Sequence, residues 1–186
     1  LETELAEFVG AQSGLVFATG YAANLAAVTA LASPDTLVIS DARNHASIID
    51  ACRLARAPLA IAPHNDVAAV RQLLANRRQE RALVITESVF STDGVLAPLR
   101  ELSQAVRAYG AVLIVDEAHA IGVRGDGGRG LVHEVGLAGA ADVVVTATLS
   151  KSLAAQGGAV LADERVRAHL INSARPFIFD TALAPG

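Results

Sequence analysis

The chain has 186 residues, 52% of them hydrophobic and 18% charged, with a formal net charge of −4. That length gives one domain with room for a full core, and the apolar content excludes a disordered chain. No apolar run reaches the roughly 18 residues of a membrane span, no basic block marks a nucleic-acid partner, and the single cysteine, Cys52, excludes an internal disulfide and reads as a small buried apolar residue.

The opening Leu1-Glu-Thr-Glu is acidic and helical in character, unlike a signal or transit peptide. With no initiator methionine, the chain is expected to begin inside a longer protein, and a cytoplasmic location is expected for it. Seven short apolar runs follow, at residues 15–18, 36–40, 58–62, 82–87, 111–116, 142–148 and 159–162. They are continuously apolar rather than alternating, which suits strands covered on both faces. Helical stretches at 21–32, 45–56, 67–78 and 98–109 separate most of them, and another at 163–174 follows the last. Asp66 and Asp163 are placed to cap helices. Pro98 suits a first helical turn, and Gly110 a helix stop. The alternation predicts an α/β domain: a mostly parallel seven-stranded sheet with helices on both faces.

In such a sheet the ligand lies beyond the carboxyl ends of the strands. The residues just after each run are therefore the ones to read. They are Thr19-Gly20-Tyr21, Asp41-Ala-Arg-Asn-His45, Glu87-Ser-Val-Phe-Ser91, Asp116-Glu-Ala-His119 and Thr148-Leu-Ser-Lys151, and they are expected to converge on one rim. A carboxylate at the tip of a buried strand is costly unless paired. Asp116 thus either caps a following turn, binds a neighbouring Arg, or meets a buried cation: a metal, an amine or a protonated ring nitrogen. Asp116-Glu-Ala-His119 also spells the box of nucleic-acid-dependent ATPases, but no phosphate loop precedes it. The glycine-rich stretch 122–130 does not open a helix after the first strand, so it fails as a dinucleotide fingerprint.

Of the 15 basic residues, 14 are Arg, and Lys151 is the one lysine. It is either solvated or held in a partly desolvated site, where it can form an imine. Asp116 lies one strand-helix-strand unit earlier on the same edge. An imine-forming lysine and a carboxylate for a ring nitrogen are what pyridoxal phosphate (PLP) requires. The glycine turn Thr19-Gly-Tyr-Ala-Ala-Asn24 opens a helix whose amides can bind a phosphate. His45 is placed for the ring face, and Ser91 and His119 for the ring oxygen. Taken singly, each has a plainer reading: a structural histidine, or a turn at Ser91-Thr-Asp-Gly94.

Together with Asn44-His-Ala-Ser47, His64-Asn-Asp66, Thr86-Glu-Ser-Val-Phe-Ser-Thr-Asp-Gly94, Gly122-Val-Arg-Gly125 and Gly128-Arg-Gly130, these segments run in family order along the whole chain. The chain resembles the α-oxoamine synthases, fold-type I PLP enzymes that condense an amino acid with an acyl thioester. The resemblance implies PLP as cofactor, no metal, and a homodimer. It implies that Lys151 is the Schiff-base lysine, Asp116 the ring-nitrogen partner and His45 the ring-stacking residue. His119 and Ser91 would lie near the ring oxygen, and Gly20, Tyr21 and Thr148 at the phosphate. Thr181 would reach the partner subunit's phosphate. The implied substrates are alanine and a pimeloyl thioester, carried by coenzyme A or a carrier protein. A sister synthase using glycine with acetyl-CoA or succinyl-CoA is the alternative. A non-catalytic paralogue is a further one, though it should lack the lysine. Ala120 and Ala154 stand where the family commonly has glycine. Residues 1–186 read as a single PLP-binding large domain. The N-terminal arm and the C-terminal small domain, with its carboxylate-clamping arginine, are expected outside this chain.

Overall fold

The structure, a computed structural model, describes residues 1–184. Its elements are α1 (Glu2–Val9), β1 (Ser13–Phe17), α2 (Gly20–Leu31), β2 (Thr36–Asp41), α3 (Ala46–Ala55), β3 (Leu59–Ala62), α4 (Val67–Asn76), β4 (Arg81–Glu87), α5 (Leu99–Ala108), β5 (Val112–Asp116), a 3₁₀ turn (Asp126–Gly128), α6 (Leu131–Glu134), β6 (Val143–Thr148), β7 (Gly158–Ala162), α7 (Glu164–Ser173) and α8 (Arg175–Ile178). All seven strands join one sheet in the order β1-β7-β6-β5-β4-β2-β3.

The expected α/β sheet is borne out, with one reversal. β2 to β6 pair in parallel, whereas β7 is antiparallel to both β6 and β1. A parallel return needs a crossover, usually a helix. The loop between β6 and β7, residues 149–157, contains none, so the chain turns straight back. The two reversals cancel. β1 points the same way as β2 to β6, and its carboxyl end opens on the same edge as theirs.

Helices cover both faces. On one, α1, α4 and α5 bury Val9, Val70, Leu74, Leu99, Leu102 and Val106. On the other, α2, α3 and α7 bury Ala23, Ala27, Ile48, Ala51 and Leu170. Each fully buried Leu, Ile or Val contributes about 1.5–3 kcal/mol. In α5 the apolar positions 99, 102 and 106 follow the helical period. α2 buries Ala23, Ala26, Ala27 and Val28 completely, and side chains this small let the helix lie close to the sheet. β3 departs from the expected cover: as an edge strand it leaves Leu59 44% and Ile61 58% exposed.

The caps follow the sequence at three of four points. Asp66 accepts from the Ala69 N–H and Asp163 from the Arg165 N–H, both at 2.9 Å, and Gly110 takes φ +61° just beyond α5. Pro98 stands at the N-cap of α5 rather than in its first turn, because its ψ of 65° is not helical. Among the described residues, no helix is long and apolar enough to cross a membrane.

Candidate active site

The carboxyl edge of the sheet carries a pocket of about 230 Å³, lined from α2, α3, the ends of β4 and β5, and the loop after β6. One wall is the start of α2. Thr19 caps that helix by accepting from the Ala22 N–H at 3.0 Å. The N–H groups of Gly20 and Tyr21 have no carbonyl within the helix to bond, and they stand at its positive end. Gly20 also lies against Thr148: a Cβ there would come within 2.8 Å of the Thr148 Cβ, so only glycine permits this approach. The Thr148 hydroxyl is 2.8 Å from that of Ser150. Tyr21 offers the pocket its backbone, since its hydroxyl donates to Asp50 at 2.8 Å. That bond to a carboxylate raises the pKa of the phenol.

Asp116 ends β5 as the floor, 7% exposed. Its Oδ1 accepts from the Ala118 N–H at 2.9 Å and its Oδ2 from Asn24 Nδ2 at 2.7 Å. These donors offset the cost of burying the carboxylate. The turn-capping role is therefore real, but it occupies only one of the two oxygens, and Asp116 still lines the pocket. Asn24 in turn accepts from Thr146 Oγ1 at 2.6 Å and donates to Ser47 Oγ at 2.9 Å. Ser47 meets His45 Nδ1 through its hydroxyl at 2.8 Å and its N–H at 3.2 Å. His45 caps α3 and lines the pocket.

Lys151 Nζ stands 2.8 Å from His119 Nε2. Burial and the neighbouring Lys151 charge lower the pKa of His119. Lys151 itself is exposed, which favours the solvated one of the two alternatives, although it lines the pocket. The next residue fixes the loop 149–157. Ser152 Oγ donates to the Ile121 carbonyl, and a Cβ on Gly122 would collide with the Ser152 Cβ. The glycine-rich stretch is thus a seat for the lysine loop. Ala154, where glycine was expected, still takes φ +50°.

The structure brings Gly20, Tyr21, His45, Asp116, His119, Thr148 and Lys151 to one pocket. Ser91 and Thr181 do not line it. Ser91 is exposed and donates its N–H to Glu87 Oε2 at 2.9 Å, while Thr181 is exposed and donates its N–H to Asp180 Oδ1 at 2.8 Å. Asp41 binds His64 and the Asn65 N–H instead of facing the pocket. Glu87 went unassigned in the sequence reading. It is 2% exposed, lines the pocket and leaves Oε1 without a partner among the described residues, and burial raises its pKa. Asn24, Ser47 and Thr146 were missed as well. The available signal was an asparagine on the buried face of an otherwise alanine-rich helix. Among the described residues no cluster of His, Cys, Asp and Glu could hold a metal ion.

The 8-amino-7-oxononanoate synthase of Mycobacterium ulcerans is 64% identical over 186 residues, 100% of this chain and 48% of that protein. That of Mycolicibacterium paratuberculosis is 66% identical over 184 residues. The chain thus spans about half the length of the curated relatives it matches, at 48% of each. Among solved structures, serine palmitoyltransferase from S. paucimobilis with bound PLP–myriocin aldimine has a TM-score of 0.91 at 37% identity, covering 98% of this chain and 46% of that one. The 8-amino-7-oxononanoate synthase from Francisella tularensis has a TM-score of 0.83 at 32% identity, covering 98% and 52%. These relatives bear out the resemblance read from the motifs. The family profile described as aminotransferase class I and II matches residues 1–186, and the chain belongs to that family.

Proposed function

We propose that the intact protein is a PLP-dependent acyltransferase that condenses L-alanine with a pimeloyl thioester. The products are 8-amino-7-oxononanoate, carbon dioxide and the free thiol, a step of biotin biosynthesis. The observation that carries this reading is the meeting of Lys151 and Asp116, the one lysine and a buried strand-end carboxylate, in a single pocket. Identity of 64% over the full chain to an 8-amino-7-oxononanoate synthase supports the choice of substrates. The serine palmitoyltransferases superpose with the higher TM-score, 0.91 against 0.83, but at only 37% identity. Backbone shape is common to sister enzymes, so sequence identity carries more weight here.

The residues present fit PLP. Gly20, lacking a Cβ, lets the start of α2 pack against Thr148 at the pocket wall, where the first helix N–H groups have no helical carbonyl to bond and suit a dianion, and Asp116 offers a negative acceptor inside the pocket. When bound, PLP supplies an aldehyde for a lysine amine and an electron-withdrawing ring. Gly20 and Tyr21 would donate their N–H groups, and Thr148 and Ser150 their hydroxyls, to its phosphate. Asp116 would accept the N–H of the ring nitrogen, and this opposite charge would keep the proton there. His45 would cover the ring face and His119 would serve the ring oxygen, whereas Ser91, which does not line the pocket, has no place at it here. Lys151 Nζ takes the α-proton of alanine. His119 Nε2, held towards the neutral form, accepts a hydrogen bond from Nζ at 2.8 Å and aims it. Residues 1–186 form the PLP-binding domain of a cytoplasmic homodimer, in which Thr181 extends towards the partner's phosphate. The clamp on the substrate carboxylate lies outside this chain, so residues 1–186 alone should not turn over.

The test uses the full-length protein. It should be yellow, Lys151→Ala should lose the visible band, and borohydride should fix the cofactor to the peptide containing Lys151. Attachment to any other residue refutes the assignment. Single-turnover assays of alanine and glycine against pimeloyl, acetyl and succinyl thioesters decide between the sister reactions. Preference for glycine overturns the substrate reading.

A further inference from the structure

Asp116 and His45 reach the pocket from different elements, yet one hydrogen-bond path joins them. It runs from Asp116 Oδ2 through Asn24 Nδ2 and Ser47 Oγ to His45 Nδ1, with steps of 2.7, 2.9 and 2.8 Å. Asn24 and Ser47 are 4% and 1% exposed, so water does not compete for these bonds. Donor and acceptor roles along the path are fixed in sequence. A carboxylate only accepts, and an amide has one donor end and one acceptor end. Asn24 must therefore turn its NH₂ to Asp116, and its carbonyl then accepts the Thr146 hydroxyl at 2.6 Å. A flipped amide would set its oxygen against the carboxylate. The second N–H of the same NH₂ donates to Ser47 Oγ. That leaves the Ser47 proton to go to His45 Nδ1, which also receives the Ser47 N–H at 3.2 Å. A nitrogen that accepts from both groups carries no proton, so the ring proton belongs on Nε2, which has no protein partner among the described residues.

We propose that Asn24 and Ser47 are positioning residues that lock His45 as a neutral imidazole with its proton on Nε2. The inference rests on the reading of His45 and Asp116 as contacts of one bound ring. Its use follows from charge: a ring nitrogen kept protonated by Asp116 makes the ring cationic, and a neutral imidazole can lie on a cationic ring where an imidazolium would be repelled. The same asparagine serves both ends, since its donor group satisfies the anion and its orientation sets the tautomer. The charged groups around the pocket are Glu87, Asp116, His119 and Lys151. On α3 itself, Asp50 is taken up by Tyr21 and Arg53. None of them bonds the His45 ring.

Long-range ¹H–¹⁵N correlation spectra of the full-length, cofactor-loaded protein, with histidines assigned by a His45→Gln variant, test the idea directly. The parent should show His45 as the neutral tautomer protonated on Nε2, with Nδ1 in the unprotonated range. An imidazolium, or a proton on Nδ1, overturns the proposal without any further variant. Asn24→Ala and Ser47→Ala should replace the single tautomer by an averaged pattern and weaken cofactor binding about tenfold. Ser47→Thr, which keeps the hydroxyl, should restore the tautomer. If the variants bind cofactor more weakly but keep the Nε2 tautomer, the pair is merely structural. The tautomer is also read without cofactor. A locked His45 in a protein that takes up no PLP would sink the functional reading while leaving the relay intact.

Discussion

Asp116 and Glu117 are neighbours, both nearly sealed from water, and they serve two different regions. Successive residues of a strand face opposite sides of a sheet. Asp116 therefore points to the α2 side, where Asn24 and the Ala118 N–H hold it and a pocket stays open. Glu117 points to the α6 side, where its Oε1 accepts the N–H groups of Leu131 and Val132, each at 3.2 Å. The glycine-rich stretch folds down on it so closely that a Cβ on Gly130 would collide with the carboxylate. Burial overrides those bonds and pushes the Glu117 pKa up to about 7. One carboxylate lines an open pocket, and the other is spent on the fold. Adjacent acids in a single motif need not share a role.

Exchanging the two charges separates the regions most sharply. In the full-length enzyme, Asp116→Asn should slow exchange of the alanine α-proton into deuterated water at least about a hundredfold, with the cofactor still attached to Lys151. Exchange within a few-fold of the parent would reduce Asp116 to a turn cap. Glu117→Gln should leave exchange nearly unchanged and act on stability instead. Between the ordinary carboxylate value of 4.5 and about 7, the folded state binds more protons at Glu117 than the unfolded state. The stability this residue lends is thus complete below the lower value and lost as pH rises through the upper one. The variant has no such proton, so it should gain about 2–3 kcal/mol relative to the parent from pH 5 to pH 8 in denaturant titrations. A gap that stays constant with pH refutes the buried-acid assignment.

Gly130→Ala should cost about 2 kcal/mol, because it combines the collision with a φ of +99°. Wild-type stability there would mean the stretch is loose rather than seated. The smallest effect is a gain. Ala154 sits at φ +50° in the lysine loop, where glycine carries no steric penalty, so Ala154→Gly should stabilise the protein by about 1 kcal/mol. A loss on that substitution would show that the methyl group packs usefully.

The sheet was legible because continuous runs such as Val143–Thr148 signal strands covered on both faces. The pocket was legible because strand ends carry the polar residues, and Lys151 and Asp116 stood out by rarity and by place. Three features were hidden for physical reasons. The reversal at β7 depends on a loop too short to cross over, which composition does not reveal. α6 and α8 have four residues each, fewer than a hydrophobic period needs to declare itself. The roles of Asn24, Ser47 and Thr146 depend on contacts 23 to 122 residues apart, and Ser91 looked like a pocket residue because its tether to Glu87 is invisible in sequence.

Among the described residues β1 pairs only with β7, from Ser13 against Ala162 to Phe17 against Gly158. During synthesis at about 5–20 residues per second, the first of those strands waits roughly 7–30 s for its only neighbour. Leu15 and Phe17, almost fully buried in the finished sheet, are without that shelter for the whole interval. The turn at Gly20 follows β1 directly, and the lysine loop is the segment that delivers β7. The two sides of the pocket therefore cannot meet until β7 has been made, and a chain cut short before Gly158 should carry an unpaired β1 and an incomplete pocket.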